Sequence, residues 1–408
     1  MPDGEVAVAV NAATSDAFGR LRIAEPVTLF DSKQLHDNLP LMYDDQEVSG
    51  GGTSSTHSTA RASTTIGVSA TTAGKRVRQT FRRFNYQPGK SQLIFLTAVM
   101  GGQGDGIRAE IGIMDDNNGL YFWSEGGVID VGIRSKVSGS VVDTETPQSA
   151  WHEDRMNGAG DSGRNPSAYK LNPDKAQILV IDYEWLGVGT VRFGFVINGE
   201  IIYVHKQHHA NLSTGVYMST PNLPIRYSIA NDGTGAAATL EHICTTVIAE
   251  GGMQEVGKQI YVSTQGVHLD ANAADTLYAA IGVRLKSTHL DSSIFLDNVS
   301  MMSEGNQDFE WVIRWNPTVA GTFTYADVTN AAVQRALGAT ANTVTGGTPI
   351  AGGFQKGGAT SGSFNISVTP TLRLGSSIAG VADRMVLCAR PLSANMDIQS
   401  SMILREME

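Results

Sequence analysis

The stretch from Gln177 to His205, QILVIDYEWLGVGTVRFGFVINGEIIYVH, constrains the fold more than any other part of the chain. Leu179, Ile181, Tyr183 and Trp185 alternate with Asp182 and Glu184, the period of two that a half-buried strand shows. Val191, Phe193, Phe195 and Ile197 repeat the alternation, and Asn198-Gly199 supplies the two positive-φ residues of a type I′ hairpin turn. A two-residue loop sets Ile197 against Glu200, Phe195 against Ile202 and Phe193 against Val204 on the buried face. The expectation is an antiparallel meander with one apolar side and one wet side.

A chain of 408 residues exceeds one ordinary core, and 45 glycines with only 17% charged residues favour strands and turns over long helices. We therefore expect an all-β protein of two β-sandwich domains, jelly-roll or concanavalin-like. An extended N-terminal docking arm (residues 1–41) precedes a first sandwich (42–252) and a second β-rich domain (253–408), with Glu250-Gly251-Gly252 at the seam. Ser49 to Gly74 is low in complexity and reads as a surface excursion with one short strand around Thr65 to Ser69. Trp151 to Pro173 reads as a long exposed loop. In the second domain Asp327 to Leu337, DVTNAAVQRAL, places Val328, Ala332 and Ala336 on one stripe and reads as a short helix.

A formal charge of −10 speaks against nucleic acid as the main partner. No basic segment leads into an apolar one at the N-terminus and no run of about 18 apolar residues occurs, so neither secretion nor membrane insertion is expected. Cys244 and Cys388 are read as free, buried thiols.

Four groups of residues invite functional readings. Asp16 to Leu41 carries Phe18, Leu21, Leu29 and Phe30 among Arg20 and Arg22. Either it wraps its own domain or it docks on a neighbouring subunit. Lys75, Arg76, Arg78, Arg82, Arg83 and Lys90, interleaved with Phe81, Phe84 and Tyr86, form the basic concentration. It reads as a strand with a solvated or inter-subunit face, and less readily as a single-stranded nucleic-acid platform. Asp115-Asp116-Asn117-Asn118-Gly119 offers hard oxygen ligands but lacks a calcium loop's spacing, and reads as a hairpin turn. His205, His208 and His209 lack the further ligands of a zinc site and read as an exposed loop.

Several strings taken together, DAFGRLRIAEPVTLFDSKQLHDNLPL, TTAGKRVRQTFRRFNYQPGKSQLI, YEWLGVGTVRFGFVINGEIIYVH, YMSTPNLPIRY and NDGTGAAATLEHICTTVIAEGG, resemble a family of virion structural proteins of tailed bacteriophages. The resemblance spans roughly Asp16 to Gly252. It implies a particle component of the fibre, baseplate-periphery or capsid-decoration class, made in the host cytoplasm and incorporated into the virion. Its partners would be other virion proteins and copies of itself, a trimer being the class habit, with a host-surface glycan as a further candidate. It implies no cofactor and no catalytic or metal-binding residue. The assembly contacts expected are Phe18, Arg20, Leu21, Arg22, Leu29, Phe30, Arg76, Arg78, Arg82 and Arg83.

One alternative is enzymatic. Val180-Ile181-Asp182-Tyr183-Glu184 resembles the last three positions, Asp-x-Glu, of the Glu-x-Asp-x-Glu strand in laminarinase-type glycosidases, with valine where the first glutamate would stand. Half of the carboxylate pair is missing, and a strand face with Arg192 as the cross-strand partner of Asp182 accounts for the pattern. A lectin-like module without catalysis is the other alternative.

Overall fold

The type I′ turn forms as its sequence dictates: Asn198 and Gly199 have φ of 52° and 86°, Ile197 pairs with Glu200 and Phe195 with Ile202. Further along, the ladder slips. A bulge between Phe193 and Gly194 sets Phe193 against His205 and not Val204. A Cβ on Gly194 would lie 2.7 Å from the Ile202 carbonyl oxygen, so the strands close there only because the side chain is missing.

The structure, a computed structural model, describes residues 24–254, 256–357, 363–364, 373–393 and 395–407. The chain runs through β1 (Val27–Lys33), β2 (Tyr43–Gly50), β3 (Thr53–Ser58), β4 (Ser63–Val68) and β5 (Gly74–Thr80). Next come β6 (Gln92–Val99), β7 (Ile107–Met114), β8 (Gly119–Glu125), β9 (Val128–Ser135) and β10 (Val142–Thr146). After an irregular stretch follow β11 (Gln177–Tyr183), β12 (Val191–Ile197), β13 (Glu200–Gln207), β14 (Ile225–Asn231) and β15 (Ala238–Ala249). These strands form two antiparallel sheets, β13-β12-β11-β6-β15-β4-β3 with β1 also on β15, and β10-β9-β8-β7-β14-β5-β2. One core fills the space between them. Phe122 packs on Phe193 and Phe195 with ring centroids 5.5 and 5.4 Å apart, and Trp151 lies 6.1 Å from Phe195.

Three expectations about this region change. Val27–Lys33, expected in the arm, is a strand of the first sheet: β4 pairs with one half of β15 and β1 with the other. The Ser49 to Gly74 excursion contains the hairpin β3–β4, whose serines and threonines pair along a full ladder. The Trp151 to Pro173 loop follows a 3-10 turn at Gln148–Ala150 and contains a second at Asp161–Gly163, but it is anchored, because Trp151 and Met156 are fully buried. Asp154 accepts hydrogen bonds from the Met156 and Ser167 amides (2.8 and 2.9 Å) and from Asn165 Nδ2 (2.6 Å), so the loop satisfies its polar backbone internally.

The second unit contains β16 (Lys258–Ser263), β17 (Leu269–Ala271), β18 (Tyr278–Leu285), β19 (Ser293–Ser303) and β20 (Phe309–Trp315). The short β21 (Thr318–Val319), β22 (Ala326–Asp327), β23 (Val333–Leu337) and β24 (Val344–Thr345) follow. The last are β25 (Thr348–Gln355), β26 (Ser363–Phe364), β27 (Arg384–Pro391) and β28 (Met396–Met407). They pair as β16-β28-β19-β26, with β17 also on β28, as β22-β23-β18-β27-β20-β25 and as β21-β24, around a separate core. β28 turns Met396, Ile398, Met402 and Leu404 inward on the period of two.

The helix expected over Asp327 to Leu337 is absent. Asn330 takes φ 54°, the Val328 amide donates to the Val333 carbonyl (3.1 Å), and Val333–Leu337 pairs with β18. The helical preference of an alanine-rich segment is weak, and an unpaired edge on β18 outweighs it. Among the described residues no helix is long and apolar enough to cross a membrane.

The two cores are joined by specific contacts. The Ser376 amide donates to the Phe81 carbonyl (3.0 Å) and the Ile378 amide to Asp44 Oδ2 (2.7 Å).

Candidate functional site

Antiparallel pairing of β11 with β12 places Asp182 directly opposite Arg192, and pairing of β12 with β13 brings Lys206 opposite Arg192 in turn. The loop after β11 turns at Leu186 and Gly187, which have φ of 37° and 77°, and returns Thr190 to the Glu184 backbone (3.1 Å). Asp182, Glu184, Thr190, Arg192, Lys206 and His208, with Ser91, therefore line one open groove on the outer side of the sheet.

The centre of the groove is an ion pair. Arg192 Nη2 lies 2.5 Å from Asp182 Oδ2, Tyr203 Oη donates to the same oxygen at 2.5 Å, and the guanidinium sits 4.9 Å from the Tyr203 ring centroid. Burial works against the charge on Arg192, but Asp182 outweighs it and raises the guanidinium pKa. Burial and the bond to Asp182 also push the Tyr203 phenol up. Asp182 Oδ1 is buried and has no hydrogen-bond partner among the described residues. Glu184 is exposed; its Oε1 accepts from the Thr190 amide (3.3 Å), and Thr190 Oγ1 lies 3.1 Å from His208 Nδ1.

This outer face is not the wet one expected. Asp182 is only 2% exposed and Val180 is fully buried, because Val180 lies between Phe95 of β6 and Gly194 of β12. Val180, at the position of a glycosidase's first glutamate, thus offers a buried isopropyl group. Tyr203 and Thr190 were not among the residues singled out by sequence. The signal for Tyr203 was local, since it lies two residues beyond Ile201 on a strand with a known turn, but the bulge at Gly194 changes which residues face Asp182.

The expected assembly contacts are distributed differently. Phe18, Arg20, Leu21 and Arg22 lie outside the described residues. Leu29 and Phe30 are buried in the first core, with Phe30 against Tyr43 and Phe84 (centroids 6.0 and 5.3 Å apart). The basic concentration does not form the solvated face expected of it, since much of it turns inward. Arg78 is fully buried, with Nε 3.2 Å from His242 Nδ1, Nη1 3.4 Å from Asp45 Oδ2 and its guanidinium 4.4 Å from the Tyr43 ring centroid. Arg76 pairs with Asp45 and Arg83 with Asp115, each at 2.7 Å, and Arg82 is 7% exposed. Arg76 and Arg78 turn inward because β5 lies between β14 and β2, whose Asp45 supplies their countercharge.

Neither suspected metal group assembles. Asp115 Oδ1 accepts from the Asn117 and Asn118 amides (2.7 and 2.8 Å) and Asp116 pairs with Arg226, which makes the acidic segment a tied turn. His205 Nδ1 is 3.0 Å from His152 Nδ1, and burial together with His152 lowers the His205 imidazole to about 4. His209 is buried, stacked 4.2 Å from Tyr217, with Nδ1 2.7 Å from the Gly189 carbonyl oxygen. Only His208 of the three is exposed, contrary to the exposed loop expected. Cys388 is buried and its thiol is pushed up to about 12 by that burial, whereas Cys244 is only partly buried.

Compared with known protein families and with curated proteins, the chain matches none by sequence. Solved structures with partial likeness include a Bacillus licheniformis beta-glucanase, at 8% identity and TM-score 0.35 over 53% of this chain and 96% of that one. The CBM2 module of the Lactobacillus casei BL23 phage J-1 evolved Dit aligns at 7% identity and TM-score 0.37 over 57% and 100%. A legume lectin-like domain from Entamoeba histolytica aligns at 9% identity and TM-score 0.31 over 55% and 99%. Likenesses of this size say nothing of what this chain does.

Proposed function

We propose that the chain is a non-enzymatic virion structural protein, a tail-fibre or baseplate-associated attachment component that offers the β11–β13 groove to a host-surface glycan. The observation that carries the glycan reading is the lining of the groove, where the exposed Glu184 and His208 stand beside the partly exposed Arg192 and Lys206, with Asp182 buried beneath and holding Arg192 in place. Donors and acceptors set side by side in this way suit a ligand that donates and accepts many hydrogen bonds, as sugar hydroxyls do. Hydrolysis is disfavoured by the same arrangement, because Val180 supplies no carboxylate and Asp182 is neutralised by a guanidinium.

The particle assignment is supported by the family resemblance between Asp16 and Gly252. In this reading the segment before residue 24 docks on other virion proteins, residues 42–252 and 253–408 act as separate domains, and the protein is a homo-oligomer, a trimer by class habit. Capsid decoration is the second placement that the resemblance allows. The test is binding of the full chain to host cells and to their purified surface polysaccharides, with Glu184→Gln and Lys206→Ala as groove variants. Binding that both variants weaken, with no release of reducing ends, is expected. Host-cell binding that neither variant alters would move the attachment surface elsewhere.

A further inference from the structure

Between the two cores lies a cavity of about 170 Å³ that shares no residue with the groove. Its walls are apolar: Leu29, Phe30, Met42 and Phe81 from the first unit, Trp315 and Ile350 from the second. The polar groups that line it are unusual. Arg82 is only 7% exposed and, among the described residues, forms no ion pair and has an Nε without a partner; its Nη2 donates to the Leu29 carbonyl at 2.6 Å. Phe84 is its other neighbour, with the ring centroid 5.3 Å from the guanidinium carbon. Desolvation alone lowers the guanidinium to about 10, and no neighbouring carboxylate restores it.

Three more charged residues line the cavity. Arg373 sits with its guanidinium carbon 4.1 Å from the Phe295 ring centroid. Asp383 accepts from Asn316 Nδ2 at 2.8 Å through Oδ1, and burial raises its carboxyl pKa. Asp31 is exposed at the rim and engaged by Lys33 at 3.3 Å. Arg82 is therefore a nearly buried cation with no carboxylate partner among the described residues, set in a largely apolar chamber. Burying an uncompensated charge is costly, and a ligand that brings the opposite charge together with an apolar body offsets that cost on both counts.

We propose that this cavity binds a small amphiphilic monoanion, a carboxylate whose head meets Arg82 and whose tail fills the space among Phe30, Phe81, Trp315 and Ile350. A cavity of about 150 Å³ accepts benzene, so the tail has about six to eight carbons. The ligand touches both units and would stiffen their junction as well as filling it. The inference does not rest on the glycan reading, and either stands if the other fails.

The test is calorimetric titration of the full chain with octanoate, with 1-octanol as the neutral analogue and octylammonium as the cationic one. Saturable one-to-one binding of octanoate is expected, at least tenfold tighter than octanol, with octylammonium weakest. Arg82→Gln should weaken octanoate at least tenfold and leave octanol unchanged. Ile350→Trp, which fills the chamber from the second unit at a partly buried position, should abolish both and decides the matter if the Arg82 variant does not fold. Octanoate binding no tighter than octanol, or undiminished by Ile350→Trp, overturns the proposal.

Discussion

Asp182 and Arg192 stand opposite each other across β11 and β12, 2.5 Å apart, with the aspartate side chain 3% and the arginine side chain 39% exposed. The pair is asymmetric in its environment. Water reaches the cation in part and hardly reaches the anion, so removing the two partners has different consequences.

Arg192→Leu should destabilise the protein by about 2–3 kcal/mol, near or below the lower end for breaking a buried pair, because it strands the Asp182 carboxylate. The double variant Asp182→Leu with Arg192→Leu should recover most of that loss. Urea unfolding of the set checks this. A single variant as stable as the parent would mean that the pair contributes nothing.

The stability of the fold should fall as the solution is acidified from about pH 6.5 to about pH 4. An unfolded imidazole takes up its proton near 6.5. In the folded protein burial and His152 hold His205 neutral until about 4, and burial and Arg78 hold His242 neutral well below its ordinary value. Across that window the unfolded chain binds protons that the folded chain refuses, so stability rises with pH. Melting temperatures from pH 4 to pH 7 should show the slope, and His205→Phe should flatten it. An identical slope in the variant would exclude His205 as a contributor.

Phe30→Ala should cost about 3–5 kcal/mol, since the ring sits between Tyr43 and Phe84 in the first core. Deletion through Asp31 removes most of β1 and should be worse. Deletion of residues 1–23 spares every contact described for β1. If the docking proposal holds, that shorter truncation keeps the parent's melting temperature and loses incorporation into particles. Normal incorporation of the truncated chain would refute docking by this segment.

Polysaccharide hydrolysis by the full chain should remain at background, and Asp182→Asn with Glu184→Gln should leave it there. Reducing-end release by the parent that the double variant abolishes would overturn the non-enzymatic reading.

By itself the sequence determined the features that depend on neighbours along the chain. Period-two alternation from Leu179 to Tyr183 and from Val191 to Ile197 specifies strands, and Asn198-Gly199 specifies the turn and thereby the first pairs of its ladder. The cross-strand approach of Arg192 to Asp182 follows from strand register and was legible for the same reason. Only the tertiary structure decided what depends on residues far away in sequence. The bulge at Gly194 needs the Ile202 carbonyl, the burial of Val180 needs Phe95, and both change what surrounds Asp182. Val333–Leu337 becomes a strand because β18 presents an open edge, which no window around Asn330 reveals. Arg78 and Arg82 read as surface charges because the groups that cover them come from elsewhere: the countercharge of Asp45 with His242 around the first, the Leu29 carbonyl and the Phe84 ring around the second. Local pattern sets which way a side chain points from its own backbone, and long-range packing sets whether water, a countercharge or another sheet is waiting there.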